Sequence, residues 1–190
     1  MTTALFTQPA TEPLSLDEVK AHIRVTHDHE DALIADLIRA ARQHTEFASG
    51  QKLITQAWRQ YESQVDVTRT IPLRLRPVQR IEAVTAFDGE GNPSVIAQTN
   101  YDLIQTRDGP CLTLAQSFEL SRAANGLEVD LIVGMGNFGI DVPPVLKRAI
   151  LLLCAHWYEF RGAVSPSDQP VSMPSGFDAL IAPYRAVRLA

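Results

Sequence analysis

"LEVDLIVGMGNFGIDVPPVLKRAILLLCAHWYEF", residues 127–160, carries three signals in succession. Leu127, Val129, Leu131 and Val133 alternate with more polar neighbours, the period-two pattern of a strand buried on one face. Gly134, Gly136 and Gly139 follow with the spacing G-x-G-x-x-G. From Pro143 and Pro144, residues suited to the approach and first turn of a helix, the pattern turns helical and is apolar on almost every side. The uninterrupted apolar run Ala149 to Ala155 falls well short of the ~20 residues that a membrane span needs. A helix apolar all round must be buried all round, so the rest of the chain has to supply its cover.

The glycine spacing invites a nucleotide. A dinucleotide loop works because a parallel strand delivers its glycines directly to a helix N-terminus, with an acidic residue about twenty positions on at the end of the next strand. Here Ile140 to Pro144 separate the third glycine from the helix, and Glu159, at the acidic distance, lies within that helix. The spacing is read as a flexible hinge from sheet to helix. A dinucleotide-binding enzyme is kept only as an alternative.

Upstream, Ser15 and Glu18 form a capping box and Leu14 with Val19 a hydrophobic staple, which starts a short helix at about residue 16 with Leu16, Val19 and Ile23 on its buried stripe. "HDHEDALIADLIRAARQHTEFASG" places Ile34, Leu37, Ile38, Ala41 and Ala48 at helical spacing, with Asp28 as N-cap and Gly50 as the stop. From about residue 52 the period becomes two. "TIPLRL" alternates Ile71, Leu73 and Leu75 with Pro72, Arg74 and Arg76, while "AVTAFDGEGNPSVIA" and "YDLIQTRDGPCLTL" read as antiparallel hairpins. A Pro/Ser-rich loop, "AVSPSDQPVSMP", leads to "SGFDALIAPYRAVRLA", where Phe177, Leu180, Ile181 and Tyr184 make one apolar stripe that Pro183 interrupts. The expected fold is α+β: a small bundle of about four helices with an inserted antiparallel β module. Residues 1–51 supply its N-terminal helices, 52–133 the insertion, and 134–190 the C-terminal helices and tail.

Composition narrows the functions. The 190 residues, 45% hydrophobic and 21% charged, describe an ordinary folded chain. A net charge of -5 with no run of Lys or Arg argues against gripping nucleic acid by its phosphates. "MTTALFTQPATEP" has neither a basic region nor a sustained apolar core, so no signal peptide or membrane span is expected. Cys111 and Cys154 lack C-x-x-C spacing, and Cys154 sits in "AILLLCAHW", where burial makes a thiol inert. His27, His29 and the three carboxylates of "HDHED" diverge along a helix entry and suit its dipole better than a metal. His156 and Glu159 reverse the E-x-x-H order of di-iron bundles. No catalytic, cofactor or metal residue is assigned.

Interaction surfaces remain. Ile150, Leu151, Leu152, Leu153 and Trp157 on the over-apolar helix are the candidate subunit interface, the alternative being that the β module folds back over them. A helix-turn-helix regulator is a further alternative, but the exposed face of its second helix would offer only Arg39 and Arg42 among acids.

"LSLDEVKAHIRVTHDHEDALIADLIRAARQHTEFASGQKLITQAW", "VPPVLKRAILLLCAHWYEFRG" and "MPSGFDALIAPYR" together resemble the head-tail connector (adaptor) proteins of long-tailed bacteriophages and of phage-derived gene transfer agents. The resemblance runs from Leu14 to Arg188; where many relatives carry an Ala-Gly-Tyr-Gly turn, this chain has "VGMGNFG". It implies a structural protein without cofactor or catalysis, assembled in the bacterial host cytoplasm and forming a usually twelvefold ring in the particle neck. Above the ring would sit the portal protein of the DNA-filled head, below it a stopper, head-completion or tail-terminator protein, and DNA would pass through without specific binding. It also implies that the C-terminal segment engages the portal, which makes Tyr184, Arg185, Val187, Arg188 and Leu189 the candidate portal contacts. The competing reading packs this tail on its own subunit.

Overall fold

The computed structural model describes residues 2–160, 174 and 176–185. They form two compact units, one from residues 2–10 and 55–135 and the other from 11–54 and the described residues from 136 on. The fold is α+β, and the chain enters the β unit, leaves it for two helices, returns, and ends helical.

The β unit holds two antiparallel sheets. Strands β1 (Thr2–Thr7), β2 (Gln56–Glu62), β4 (Val78–Phe87), β5 (Pro93–Val95) and β8 (Leu127–Val133) make one, in the order β1-β2-β8-β4-β5. Strands β3 (Thr70–Pro72), β6 (Tyr101–Thr106) and β7 (Gly109–Leu114) make the other, in the order β3-β7-β6. Both expected hairpins are present: β4 pairs with β5 and β6 with β7. The alternation in β8 is realised residue by residue, with Leu127, Val129, Leu131 and Val133 buried and the residues between them half-buried. The buried set joins Ile71, Leu73, Val84, Leu112, Leu114 and Phe118 in one core fed by both sheets. On the opposite face of β8, Asp130 takes a two-pronged bond from Arg59 of β2, at 2.6 and 2.8 Å. That pairing holds the guanidinium proton more tightly than usual. Gln60 is fully buried with a partner at each end of its amide, donating to the Pro72 carbonyl at 2.9 Å and accepting from the Arg74 N–H at 3.0 Å.

Two strands depart from the sequence reading. The sequence of 1–13 shows no periodic pattern, yet Thr2–Thr7 pairs antiparallel with β2 as an edge strand. Its side chains are mostly exposed, so it carries no clean burial alternation to read. The strand β2 was equally silent, because its residues include Gln, Arg and Glu whose partners lie far along the chain.

In the helical unit, α1 (Leu16–Ile23) starts as expected. Ser15 accepts from the Glu18 N–H at 3.2 Å, and the Glu18 carboxylate accepts from the Ser15 N–H at 2.8 Å. Leu14 and Val19, the two halves of the staple, are buried. Helix α2 (Asp31–Ser49) ends at Gly50, whose φ of 73° takes the left-handed turn and whose N–H bonds the Glu46 carbonyl. Its start differs from expectation: Glu30, not Asp28, occupies the cap, and its carboxylate accepts from the Tyr158 hydroxyl rather than from a helix N–H. Asp28 instead faces Lys20 at 2.6 Å, as does Asp31 at 2.7 Å. Helix α3 (Pro144–Glu159) begins with Pro144 after a Pro143 cap, and the short α4 (Phe177–Ile181) runs into a 3-10 turn at Ala182–Tyr184 around Pro183.

The cover demanded by the over-apolar helix comes from three sides. Helices α1, α2 and α4 all pack on α3. Against them Leu146, Ala149, Ile150, Leu153 and Cys154 are buried. Phe177 and Ile181 of α4 are buried with them. Burial pushes the Cys154 thiol up to about 12, so it is a packing group rather than a nucleophile.

Candidate assembly interface

The five apolar residues assigned to a subunit interface divide by exposure. Ile150 and Leu153 have no accessible surface and face the interior of their own unit. Leu151, Leu152 and Trp157 are half-buried and keep surface that another chain can cover. Trp157 is held edge-on to His44 of α2 at 6.0 Å between ring centroids, and His44 in turn lies 5.5 Å from Phe177. Such a ring stack fixes the indole while leaving part of it outward.

Of the five C-terminal candidates, Val187, Arg188 and Leu189 lie outside the described residues. Tyr184 is half-buried, and its carbonyl accepts from Gln51 Nε2 at 3.0 Å. Arg185 donates from Nε to the Ala48 carbonyl at 3.3 Å and pairs with Asp178, while its side chain stays 45% exposed. Up to residue 185 the tail is therefore anchored at the end of α2, and the guanidinium remains in part presented outward.

One surface was not foreseen. A groove of about 610 Å³ opens between α1 and α3, floored by Leu14, Val142 and Leu151 and overhung by Ile140 of the 3-10 turn at Gly139–Asp141. Ile140 is 89% exposed and its neighbour Phe138 61%, an unusual outlay of apolar surface on one loop. Glu18, paired with Lys147 at 3.1 Å, and the exposed Arg148 form the rim. The loop is held by tight backbone approach. A Cβ on Gly139 would lie 2.3 Å from the Pro13 carbonyl oxygen, and one on Gly136 equally close to the Asp141 carboxylate. These two glycines of the G-x-G-x-x-G spacing are thus needed for packing, and the strand before them is antiparallel. The signal available in the sequence was "NFGID" itself, two large apolar residues placed in a turn.

The helix-turn-helix alternative also loses a residue. Arg42, read as lying on the exposed face of α2, is buried and committed to Glu12 at 2.7 Å and Glu46 at 3.4 Å. Arg39 alone remains outward, paired with Asp36. In "HDHED" the rings of His27 and His29 stack on each other at 3.7 Å and the Asp28 and Asp31 carboxylates face the Lys20 ammonium, so the carboxylates neutralise a cation already built into the chain. Among the described residues no group of three or more potential ligands is arranged to hold a metal, and no helix is long and apolar enough to cross a membrane.

The family of phage gp6-like head-tail connector proteins matches residues 13–114, and the chain belongs to it. It is thus a structural connector protein. Solved structures agree with the fold along the whole chain. A chain in the virion of a native gene transfer agent particle superposes with a TM-score of 0.81 at 25% identity, covering 100% of this chain and 98% of that one. Chains from the neck of an empty gene transfer agent particle computed with C6 symmetry (TM-score 0.80, 24% identity) and from the neck of a native one computed with C12 symmetry (0.75, 25%) cover the same shares. No curated protein matches.

Proposed function

We propose that this chain forms a homo-oligomeric ring in the neck of a phage or gene transfer agent particle, joining the portal of the DNA-filled head to the stopper and tail proteins. The observation that carries the reading is the full-length likeness to neck chains of particles with C6 and C12 symmetry, which fits a subunit repeated about an axis. The residues agree: a net charge of -5 without a basic run suits a channel that DNA must traverse without sticking. Leu151, Leu152 and Trp157 are the half-buried apolar surface available to a neighbour. On this reading the protein works without catalysis or cofactor, and the ring is assembled in the bacterial host cytoplasm.

The portal side is assigned to the C-terminal segment, with Tyr184, Arg185, Val187, Arg188 and Leu189 as its contacts. Arg185 supports this, because its bonds to Ala48 and Asp178 lie at the surface and can be exchanged for portal carboxylates at little cost. Deleting residues 184–190 tests it. The truncated protein is expected to fold with an unchanged circular dichroism spectrum and to be missing from DNA-filled heads, which then remain tailless. Normal attachment by the truncated protein would rule the assignment out.

A further inference from the structure

A closed ring built from one kind of subunit must join two different faces of the same chain, so a feature protruding from one face needs a receptacle on the other. The helical unit carries both. Helix α2 turns an outward stripe to solvent through Asp36, Ala40, Gln43 and Phe47, and Phe47 is 88% exposed, a whole aromatic side chain left in water. Small or polar residues precede it on the stripe, so the ring stands alone as a knob. The groove between α1 and α3 receives no residue from α2. It is apolar at its floor, open at its mouth, and roomier than one aromatic ring requires.

We infer that Phe47 of one subunit inserts into the groove of the next, against Leu14, Val142 and Leu151 and beneath Ile140; this rests on the ring reading above. The occupant is a second copy of the chain because the protruding ring of Phe47 is on the chain itself, in the same unit as the groove, and because one such contact per subunit repeats around an axis with every Phe47 and every groove filled. Among the described residues of this unit, the two apolar ones of greatest solvent access, Phe47 and Ile140, are covered by one contact.

Crosslinking in assembled particles tests the contact, with Phe47→Cys and Ile140→Cys made singly and together. The native Cys111 and Cys154 are buried and leave a low background. With a short bis-maleimide, the double variant is expected to yield a ladder of multimers up to the full ring, and each single variant only monomer. A second variant, Phe47→Glu, is expected to keep the wild-type melting temperature, since the residue is exposed, yet to reduce incorporation into particles at least tenfold. Particles that contain the ring in normal copy number but give no ladder, or a Phe47→Glu chain that incorporates normally, would overturn the knob-in-groove contact while leaving the ring standing. Particles whose necks contain a single copy of the wild-type chain would overturn the ring and this contact together.

Discussion

Ser15 and Glu18 show how much one pair of side chains settles. Each satisfies a helix donor that has no partner within the helix, and Glu18 adds a bond to Lys147 of α3 at 3.1 Å, so the cap also ties two helices. Ser15→Ala is expected to cost about 1 kcal/mol, read as a shift in the urea midpoint at constant slope. The Ser15 backbone N–H, helped by Lys147, holds the Glu18 carboxyl below its ordinary range, and this outweighs the opposing effect of burial. A depressed folded-state value means that the stabilisation is complete above the ordinary glutamate range and is lost as the pH falls through the folded one. Glu18→Gln should therefore flatten the acid limb of stability against pH and leave the neutral-to-alkaline side level; an unchanged acid limb would show that the Glu18 charge contributes nothing to stability. This cap was legible because its whole logic fits within four residues. The burial of Arg42 was not: its partner Glu12 lies on a segment with no periodic pattern, and in the sequence an arginine on an amphipathic helix looks like a solvated one.

Helix α3 gathers the longer-range logic. Its excess of apolar residues demanded cover on several sides, and the structure supplies α1, α2 and α4. The division between core and available surface was not legible, because it depends on which of seven consecutive apolar positions from Ala149 to Ala155 the neighbours reach. Leu153 and Leu151 now make distinct predictions. Leu153→Ala removes a fully buried side chain and is expected to cost about 2–5 kcal/mol in thermal or denaturant unfolding. Leu151→Ala, half-buried at the groove, is expected to cost about 1 kcal/mol or less and to act mainly on incorporation into particles. Equal losses of stability in the two variants would contradict this division. At the same scale, β8 was readable from its strict alternation, whereas β1 and β2 were missed because an edge strand has no buried side to reveal and β2 buries polar residues such as Gln56 and Gln60.

At the scale of the whole molecule, the α+β organisation followed from two changes of period, from helical to alternating near residue 52 and back after Val133. Physics alone reached an apolar helix in search of neighbours and a net-negative chain with no run of basic residues. It did not reach a neck: that step required the likeness of long segments to connector proteins, and family membership bears it out. The groove by Ile140 and the exposed Phe47 belong to this scale as well, since the contact proposed between them joins two copies of the chain. The most direct measurement of the account is a cryo-electron microscopy reconstruction of the neck in particles carrying this chain. The account predicts a closed ring of identical copies of it directly beneath the portal, around a channel wide enough for duplex DNA. A neck resolved to side chains in which that ring is built of another protein, or in which this chain is absent, would contradict it.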